Sequence, residues 1–368
     1  MAKTKVGIIF GGRSVEHEVS LLSAKSVIKN TDKDKYEIYP IFIDKNGLWH
    51  SVSIEQWLED GDLIVKTESF LTPSLNYENP LFFEIKDSQV IDEVKLDAVF
   101  PVLHGTYGED GTIQGMLEMM GVPFVGASVL GSSVGMDKIV MKAVLKEANL
   151  PVVPYFGFYS HDWMSDNKSI IERTKDIIGF PCFVKSADLG SSVGVYKVES
   201  ESGLNSAIGD SCKYSNRILI EKAVGNPREI EISVLGHETP QASLPGEIVP
   251  HRDFYDYTAK YLEEGTGLIA PAELDEELTN RLKELAVKAF VALDCSGMGR
   301  VDFLLNGSTQ ELYIGEINTI PGFTQISMYP KLWEISGVGY TELISRLFDL
   351  AIHRKNEQLK LTTDIKSK

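Results

Sequence analysis

Gly297-Met-Gly-Arg-Val-Asp-Phe-Leu-Leu305, followed by Gly315-Glu-Ile-Asn-Thr-Ile-Pro-Gly322, sets Arg300, Asp302, Glu316 and Asn318 at alternating positions of two β-type segments. On a strand, residues two apart share a face, so Arg300 goes with Asp302 and Glu316 with Asn318. One face then carries two carboxylates and an amide oxygen beside a guanidinium. Hard oxygen donors of this kind suit Mg²⁺ bound together with substrate phosphates. Val301, Phe303 and Ile317 on the other face anchor the strands to a core. The pattern predicts the metal floor of a phosphoryl-transfer enzyme.

The turn between the segments tests that reading. Asn306-Gly307 is a strong signal for a two-residue hairpin turn. Such a turn pairs Leu305 with Ser308 and sends Asp302 and Glu316 to opposite faces, because a one-residue slip inverts every side chain. A shared cation demands a three- or five-residue loop around Gly307, or a bulge; we expect the longer loop. For either carboxylate alone, a solvated face of an ordinary hairpin is the better explanation. For the whole set, ending in Pro321-Gly322, it is much the weaker one.

A chain of 368 residues is long enough for two or three domains with sizeable cores. Hydrophobic residues make up 43% and charged residues 24%, as in ordinary soluble proteins. Lys and Arg number 36 against 53 Asp and Glu, a net charge of −17. That balance argues against a nucleic-acid surface or an anionic membrane as partner. Cys182, Cys212 and Cys295 are far apart and outside any metal-type spacing, which predicts reduced, mostly buried thiols in a cytoplasmic protein. Met-Ala-Lys-Thr-Lys runs directly into a strand, so neither a signal peptide nor a transmembrane span is expected.

Lys5 to Phe10 reads as a buried parallel strand ending in Gly11-Gly12. Ser14 or Ser20 is the expected cap of a helix through about Lys29, followed by strands at Glu37 to Ile43 and Ala98 to Leu103 and a helix near Thr112 to Met120. Strand–helix alternation predicts an open α/β domain with a mostly parallel sheet. Residues 50 to 95 read as an irregular insertion. Asp137 to Ala148 is a helix, and Pro151 and Pro154 mark a linker. Strands at Phe183 to Lys185, Val193 to Val198 and Arg217 to Glu221, with a helix near Glu201 to Ile208, form a small α+β unit. A third region holds strands at Glu229 to Leu235 and Gly246 to Val249. Its amphipathic helix carries Leu278, Leu282, Leu285, Ala289 and Leu293. Tyr340 to Arg354 is the closing helix, with a polar, frayed tail from Lys355. The aromatic stretch from about His251 to Ile269, without period, predicts an active-site lid.

Three further segments carry chemistry. Gly11-Gly12-Arg13-Ser14-Val15-Glu16 lies where a first strand meets a helix, the ligand edge of an open α/β sheet, and lacks the Gly-x-Gly-x-x-Gly of dinucleotide binding. Glu16 there could bind an ammonium, or simply complement the helix dipole. His104 follows another strand at the same edge, before Gly105, Gly108 and Gly111. It is either a structural histidine or a substrate contact, and its location tilts the reading toward substrate. Lys185-Ser-Ala-Asp-Leu-Gly-Ser-Ser-Val-Gly194 resembles a phosphate-covering loop but lacks the Gly-Lys-Ser/Thr of a P-loop. A plain Gly-Ser hairpin explains that loop equally well taken singly.

Together these segments resemble the D-alanine–D-alanine ligases of the ATP-grasp superfamily. GGRSVEHEVSLLSA, LHGTYGEDGTIQGMLE, MDK, FVKSADLGSSVGV, FYDYTAKY, GRVDF and EINTIPGFTQISMYPKLW carry the likeness, in order, from Gly11 to about Leu350. The resemblance implies an ATP-grasp fold. It would have an N-terminal α/β domain over 1–126, a central small subdomain over 127–228 and a C-terminal domain over 229–368, with the lid at about 251–269. ATP would lie between the central and C-terminal sheets.

Residue by residue, Lys138 and Lys185 match the family's ATP lysines, and Glu221, Lys222, Val224 and Glu229 its adenine and ribose contacts. Lys260 matches a lid lysine reaching the transferring phosphate. Asp302, Glu316 and Asn318 match the ligands of two Mg²⁺ (or Mn²⁺) ions. Glu16 matches the residue holding the first D-alanine's ammonium, with Ser191 and Tyr261 its hydrogen-bonded partners in lid closure. Arg300 and the Gly322 N–H match the oxyanion site. Ser327 and Met328 match positions holding the second D-alanine's carboxylate. Asp188, Ala223 and Met328 depart from the commonest family pattern.

The implied reaction makes D-alanyl-D-alanine for peptidoglycan precursors through an acyl phosphate. The family also suggests a homodimer. D-serine or D-lactate is the alternative second substrate, and Tyr261, where the ester-forming relatives carry His, favours an amine nucleophile. An inactive nucleotide-binding protein would lack a metal ligand or Arg300, and each of those positions is filled.

Overall fold

The structure is a computed structural model that describes residues 2–59, 61–249 and 267–362. Lys260, Tyr261 and residues 251–266 of the expected lid lie outside the described residues. Gly267–Ile269, the end of that stretch, is a strand.

In the first sheet, strand β1 (Thr4–Gly11) pairs in parallel with β2 (Tyr36–Ile43) on one side and with β8 (Ala98–Val102) on the other. Strands β3 (Trp49–Ser53) and β4 (Ile64–Val65) extend it beyond β2 as an antiparallel edge. Because β2 and β8 flank β1, the crevice at the C-terminal ends of β1 and β8 is a topological switch point, where such sheets take their ligands. Both Glu16 and His104 emerge there. Helix α1 (His17–Asn30) starts from Glu16 at its N-cap, with no side-chain cap bond, so neither expected serine caps it. Ser14 Oγ accepts the Glu16 N–H at 3.1 Å. Ser20, inside the helix, instead accepts the Gly11 N–H and donates to the Val102 carbonyl, stitching β1 to β8. Helix α2 (Thr112–Met120) follows β8 where the sequence predicts it, and Gly121 ends it in left-handed backbone.

Residues 50–95 are more regular than their sequence suggests. After β3 and β4, strands β5 (Phe70–Pro73), β6 (Phe82–Lys86) and β7 (Gln89–Val94) form an antiparallel sheet. Leu71, Phe82 and Val94 bury against Ile9 and Val99. Only Val94 of β7 is buried, so no alternation marks that strand.

The expected helix from Asp137 is the second of two. Helix α3 (Val129–Met136) precedes α4 (Lys138–Glu147), and Asp137 caps α4 by accepting from the N–H groups of Ile139 and Val140. The second sheet is antiparallel. It joins β9 (Tyr155–Tyr159), β10 (Cys182–Ser186), β11 (Val195–Val198) and β12 (Arg217–Lys222) in the order β11-β10-β12-β9. Helix α5 (Glu201–Ser211) covers one face, burying Leu204 and Ile208 with Val184 and Ile220.

The third sheet is built on β13 (Pro227–Gly236). Beside β13 lie β15 (Gly246–Val249) and β16 (Gly267–Ile269) on one side, β17 (Gly297–Asn306) and β18 (Leu312–Asn318) on the other, with the short β14 (Gln241–Ala242) off the path. Helix α6 (Glu276–Ala292), capped by Asp275, packs Leu282, Ala286 and Phe290 against Ile232, Val301 and Phe303.

The β17–β18 register corrects the expected loop. Leu305 pairs with Leu312 and Phe303 with Ile314, whereas Asp302 pairs with Glu316 and Arg300 with Asn318. Asn306 N–H bonds the Glu311 carbonyl at 2.8 Å, so the loop spans 307–310, an even number that would separate the carboxylates. Asn306 Oδ1 accepts from Ser308 and Thr309 N–H and winds the longer turn. A bulge between Asp302 and Phe303 restores the shared face by leaving Gly315 without a partner in the ladder.

Helix α7 (Met328–Ile335) leads to α8 (Tyr340–Gln358), which runs past Lys355 instead of fraying there. Leu343, Leu347, Phe348 and Ala351 of α8 pack under the first sheet, in one core with Val6, Ile8, Phe100 and Val102. Arg354 is buried and donates to the carbonyls of Gly126 and Phe124 and to Ser296 Oγ. The closing helix therefore grips the peptide that leaves the N-terminal sheet. Among the described residues, no helix is long and apolar enough to cross a membrane.

Candidate functional site

A cleft of about 580 Å³ opens where the three sheets meet. Its N-terminal wall carries Glu16 and His104, and its central wall Lys138 and Ser191. Its floor carries Arg300, Glu316 and Asn318, and the C-terminal loop adds Gly322, Ser327 and Met328.

Ser191 Oγ donates to Glu16 Oε1, joining the glycine-serine loop to the start of α1. Ser191 and Ser192 adopt left-handed backbone at φ 49° and 58°. Strain of this sort persists only where surrounding contacts over-determine it. Lys138 holds the same loop, with its N–H on the Ala187 carbonyl and its Nζ on the Leu189 carbonyl, both at 2.8 Å. Its Nζ also lies 3.5 Å from Glu316 Oε2, bridging loop and floor.

On the floor, Arg300 forks onto both oxygens of Asp302 at 2.7 Å each, and its Nε lies 3.1 Å from Glu231 Oε2. Asn318 Nδ2 donates to Asp302 Oδ2 at 2.9 Å. Glu231, Asp302 and Glu316 occupy directly opposed positions on β13, β17 and β18. Like charges so placed repel, and Arg300 and Lys138 offset that repulsion from the two ends of the row. Among the described residues, no three His, Cys, Asp or Glu groups form a closed metal cage. An open set of two carboxylates and an amide fits a cation that takes its remaining oxygens from phosphate and water.

His104 is buried, and both ring nitrogens are engaged. Nδ1 lies 3.0 Å from the Ile320 carbonyl and Nε2 2.9 Å from Ser23 Oγ, which also accepts the Phe323 N–H at 3.3 Å. The carbonyl can only accept, so the network assigns the proton to Nδ1. Burial holds the imidazole below its ordinary pKa despite the nearby Glu16 carboxylate. His104 thus ties α1 to the C-terminal loop as a neutral ring.

Gly322 lies where a Cβ would meet Ser327 Oγ at 2.9 Å. Ser327 is the N-cap of α7, and its Oγ accepts from Thr324 N–H at 3.0 Å. The N-terminal turn of a helix offers N–H groups with no partner inside the helix, and here that turn faces the cleft, suited to a carboxylate. Met328 reaches the cleft only in part, because its side chain is buried with Ile248 and Leu332.

A second group lies behind this wall. Lys185 Nζ is 2.7 Å from Glu221 Oε1, and Lys142 Nζ is 3.0 Å from Glu221 Oε2. Burial works to raise the Glu221 pKa, but the two ammoniums outweigh it and hold it at about 2. Lys222 and Ala223 spend their N–H groups on the carbonyls of Pro154 and Pro181. Val224 follows just beyond that strand, and Glu229 stands on β13 two residues from Glu231, on the same face.

Three site residues escaped the sequence reading. Glu109 lines the cleft and accepts from Gly105 N–H at 2.8 Å and Ile320 N–H at 3.2 Å. Burial, then the Glu16 charge, pushes its pKa up to about 8. Its signal was the spacing from His104 across one glycine loop. Lys142 was legible as the residue four after Lys138 on one helix, and Glu231 as the residue two after Glu229 on one strand.

Residues 5–127 match the family described as D-ala D-ala ligase N-terminus, and residues 144–349 match D-ala D-ala ligase C-terminus. The D-alanine–D-alanine ligase of Thermoanaerobacter sp. (strain X514) is 46% identical over 368 residues, covering 98% of this chain and 99% of that protein. Two solved structures superpose with TM-scores of 0.83. The D-alanine-D-alanine ligase of Coxiella burnetii is 36% identical, covering 97% of this chain and 96% of that one. The VanG D-Ala:D-Ser ligase of Enterococcus faecalis is 33% identical, covering 95% and 100%.

Proposed function

The chain belongs to the D-Ala–D-Ala ligase family and is a ligase, and from that premise we propose that its cleft joins two D-alanines, with ATP as co-substrate, through an acyl phosphate. The observation that carries the residue roles is the Ser191–Glu16 bond above the Arg300-bearing floor. It fixes a carboxylate at the switch-point crevice, where an ammonium would be received.

In this reading Glu16 holds the first D-alanine's ammonium, and that substrate's carboxylate attacks the γ-phosphorus of ATP, releasing ADP. Lys138 and Lys185 steady the phosphates. Lys222, Val224 and Glu229 would face the nucleoside, whereas the Glu221 carboxylate is committed to its two lysines. Asp302, Glu316 and Asn318 would hold Mg²⁺ or Mn²⁺, as two ions, which when bound neutralise the charge of the transferring group.

The second D-alanine lies with its carboxylate on Ser327 and the N-terminus of α7, and its amine attacks the acyl carbonyl. Arg300 and the Gly322 N–H donate to the oxyanion of the tetrahedral intermediate, which collapses with loss of phosphate. One such donor contributes roughly 3 kcal/mol. His104 and Glu109 orient the loop that bears Gly322. Lys260 and Tyr261, assigned by their sequence motif, would complete the site and exclude water.

A cytoplasmic location accords with the free thiols of Cys182, Cys212 and Cys295. A homodimer is the family's assembly. D-serine is the rival second substrate, because the D-Ala:D-Ser ligase superposes equally well. Incubation with ATP, Mg²⁺ and D-alanine, alone or against D-serine, tests the reading. D-alanine-dependent ADP and D-alanyl-D-alanine are expected, and folded protein forming neither would refute it.

A further inference from the structure

We infer that Lys142 is a positioning residue for nucleotide binding, acting on Lys185 through the carboxylate of Glu221. The inference rests on the reading that Lys185 meets the nucleotide.

Lys142 is among the largest fully buried side chains of the molecule, 1% exposed. It stands one turn after Lys138 on α4, so two lysines project from one helix face. Lys138 reaches the cleft and Lys142 the interior. Its ion pair is the 3.0 Å contact with Glu221 Oε2, and neither atom has a further hydrogen-bond partner among the described residues. The Tyr155 ring lies 6.0 Å from its ammonium. Burying an ammonium is costly unless it is paired. A methionine would fill the same volume without that penalty, so packing does not account for a lysine here.

The geometry supplies another account. Glu221 lies on β12, opposite Phe183 of β10, and presents one oxygen to each lysine. With Oε2 held from behind, Oε1 is fixed, and Lys185 is fixed upon it at 2.7 Å. Without Lys142 the carboxylate can turn about its last torsion, and Lys185 loses a stationary anchor. First-substrate binding at Glu16 lies on another element and does not feel the change directly.

The test is Lys142→Met, close in volume and uncharged. Its ATP KM and its ADP dissociation constant by calorimetry should rise on the order of tenfold, the weight of one charge-assisted contact. The D-alanine KM and kcat at saturating ATP should change far less. In a double-mutant cycle, Lys142→Met/Glu221→Gln should bind ADP no more weakly than Glu221→Gln alone, because Lys142 acts only through that carboxylate. The double variant also carries the test if the single variant fails to fold, since it removes both charges of the buried pair together. Unchanged ADP affinity in folded Lys142→Met, or a double variant weaker than Glu221→Gln, would overturn the inference. Wild-type protein that makes no ADP from ATP and D-alanine would instead remove the functional reading beneath it.

Discussion

Ser191 and Glu16, 175 residues apart in the chain, share one hydrogen bond across the mouth of the cleft. The bond joins a loop in left-handed backbone to the start of the first helix. Removing the hydroxyl leaves the carboxylate to water and frees the loop. We expect Ser191→Ala to lower kcat/KM for D-alanine by about 10- to 100-fold, the weight of a hydrogen bond to a charged group. Steady-state kinetics check this, and unchanged values would make the contact incidental.

Arg300 is forked onto Asp302 and anchored by Glu231. A lysine retains the charge but cannot reproduce the fork. Arg300→Lys should cut kcat by about 10²- to 10³-fold, as loss of an oxyanion donor does elsewhere. Thermal melting should fall as well, because a single ammonium cannot fork onto Asp302 and meet Glu231 at the same time. Added Mg²⁺ should recover part of that stability but not the rate.

Gly315 is the residue left out of the β17–β18 ladder. Deleting it sets Glu316 directly after Ile314, so a regular ladder continued from the Phe303–Ile314 pair still places Glu316 opposite Asp302 and Asn318 opposite Arg300, without the bulge. Turnover and Mg²⁺-dependent thermal stabilisation are expected to survive the deletion. Loss of both in a folded variant would mean that the bulge itself, and not only the shared face, shapes the site.

Glu221 and Glu109 give opposite pH signatures. The Glu221 carboxyl lies at about 2, below its ordinary 4.5. Its stabilisation is present above 4.5 and lost as pH falls toward 2. Glu221→Gln should therefore flatten the acid limb of a melting-temperature profile. The Glu109 carboxyl is pushed up to about 8 from 4.5, so its contribution is full below 4.5 and lost as pH rises through 8. Wild-type melting should decline across that upper window, and Glu109→Ala should show a shallower decline.

Periodic segments were legible because one physical rule governs each. Apolar runs gave β1 and β8, helical spacing gave α6, and alternation put Arg300 and Asp302 on one face. The β17–β18 loop was misread because parity admits two remedies, a longer loop or a bulge, and local sequence does not choose between them. Strand β7 was invisible because tertiary pairing, not its own pattern, makes it a strand. Roles for Lys185 and Ser191 came from family likeness, since a glycine-serine loop has the same composition with or without a ligand. Glu109 and Lys142 were missed for the reverse reason: each is a single polar residue whose meaning depends on what burial brings beside it.

The grip of Arg354 on the carbonyls of Phe124 and Gly126 orders events during synthesis. A ribosome delivers the N-terminal strands first, and domains commonly fold as they emerge. Here the underside of the first sheet, shared by Ala24, Val27 and Ile28 of α1, stays only partly covered until α8 arrives with Leu347 and Phe348. A nascent chain halted before that helix would carry a greasy, unfinished half, exposed to chaperones and proteases until translation is almost complete.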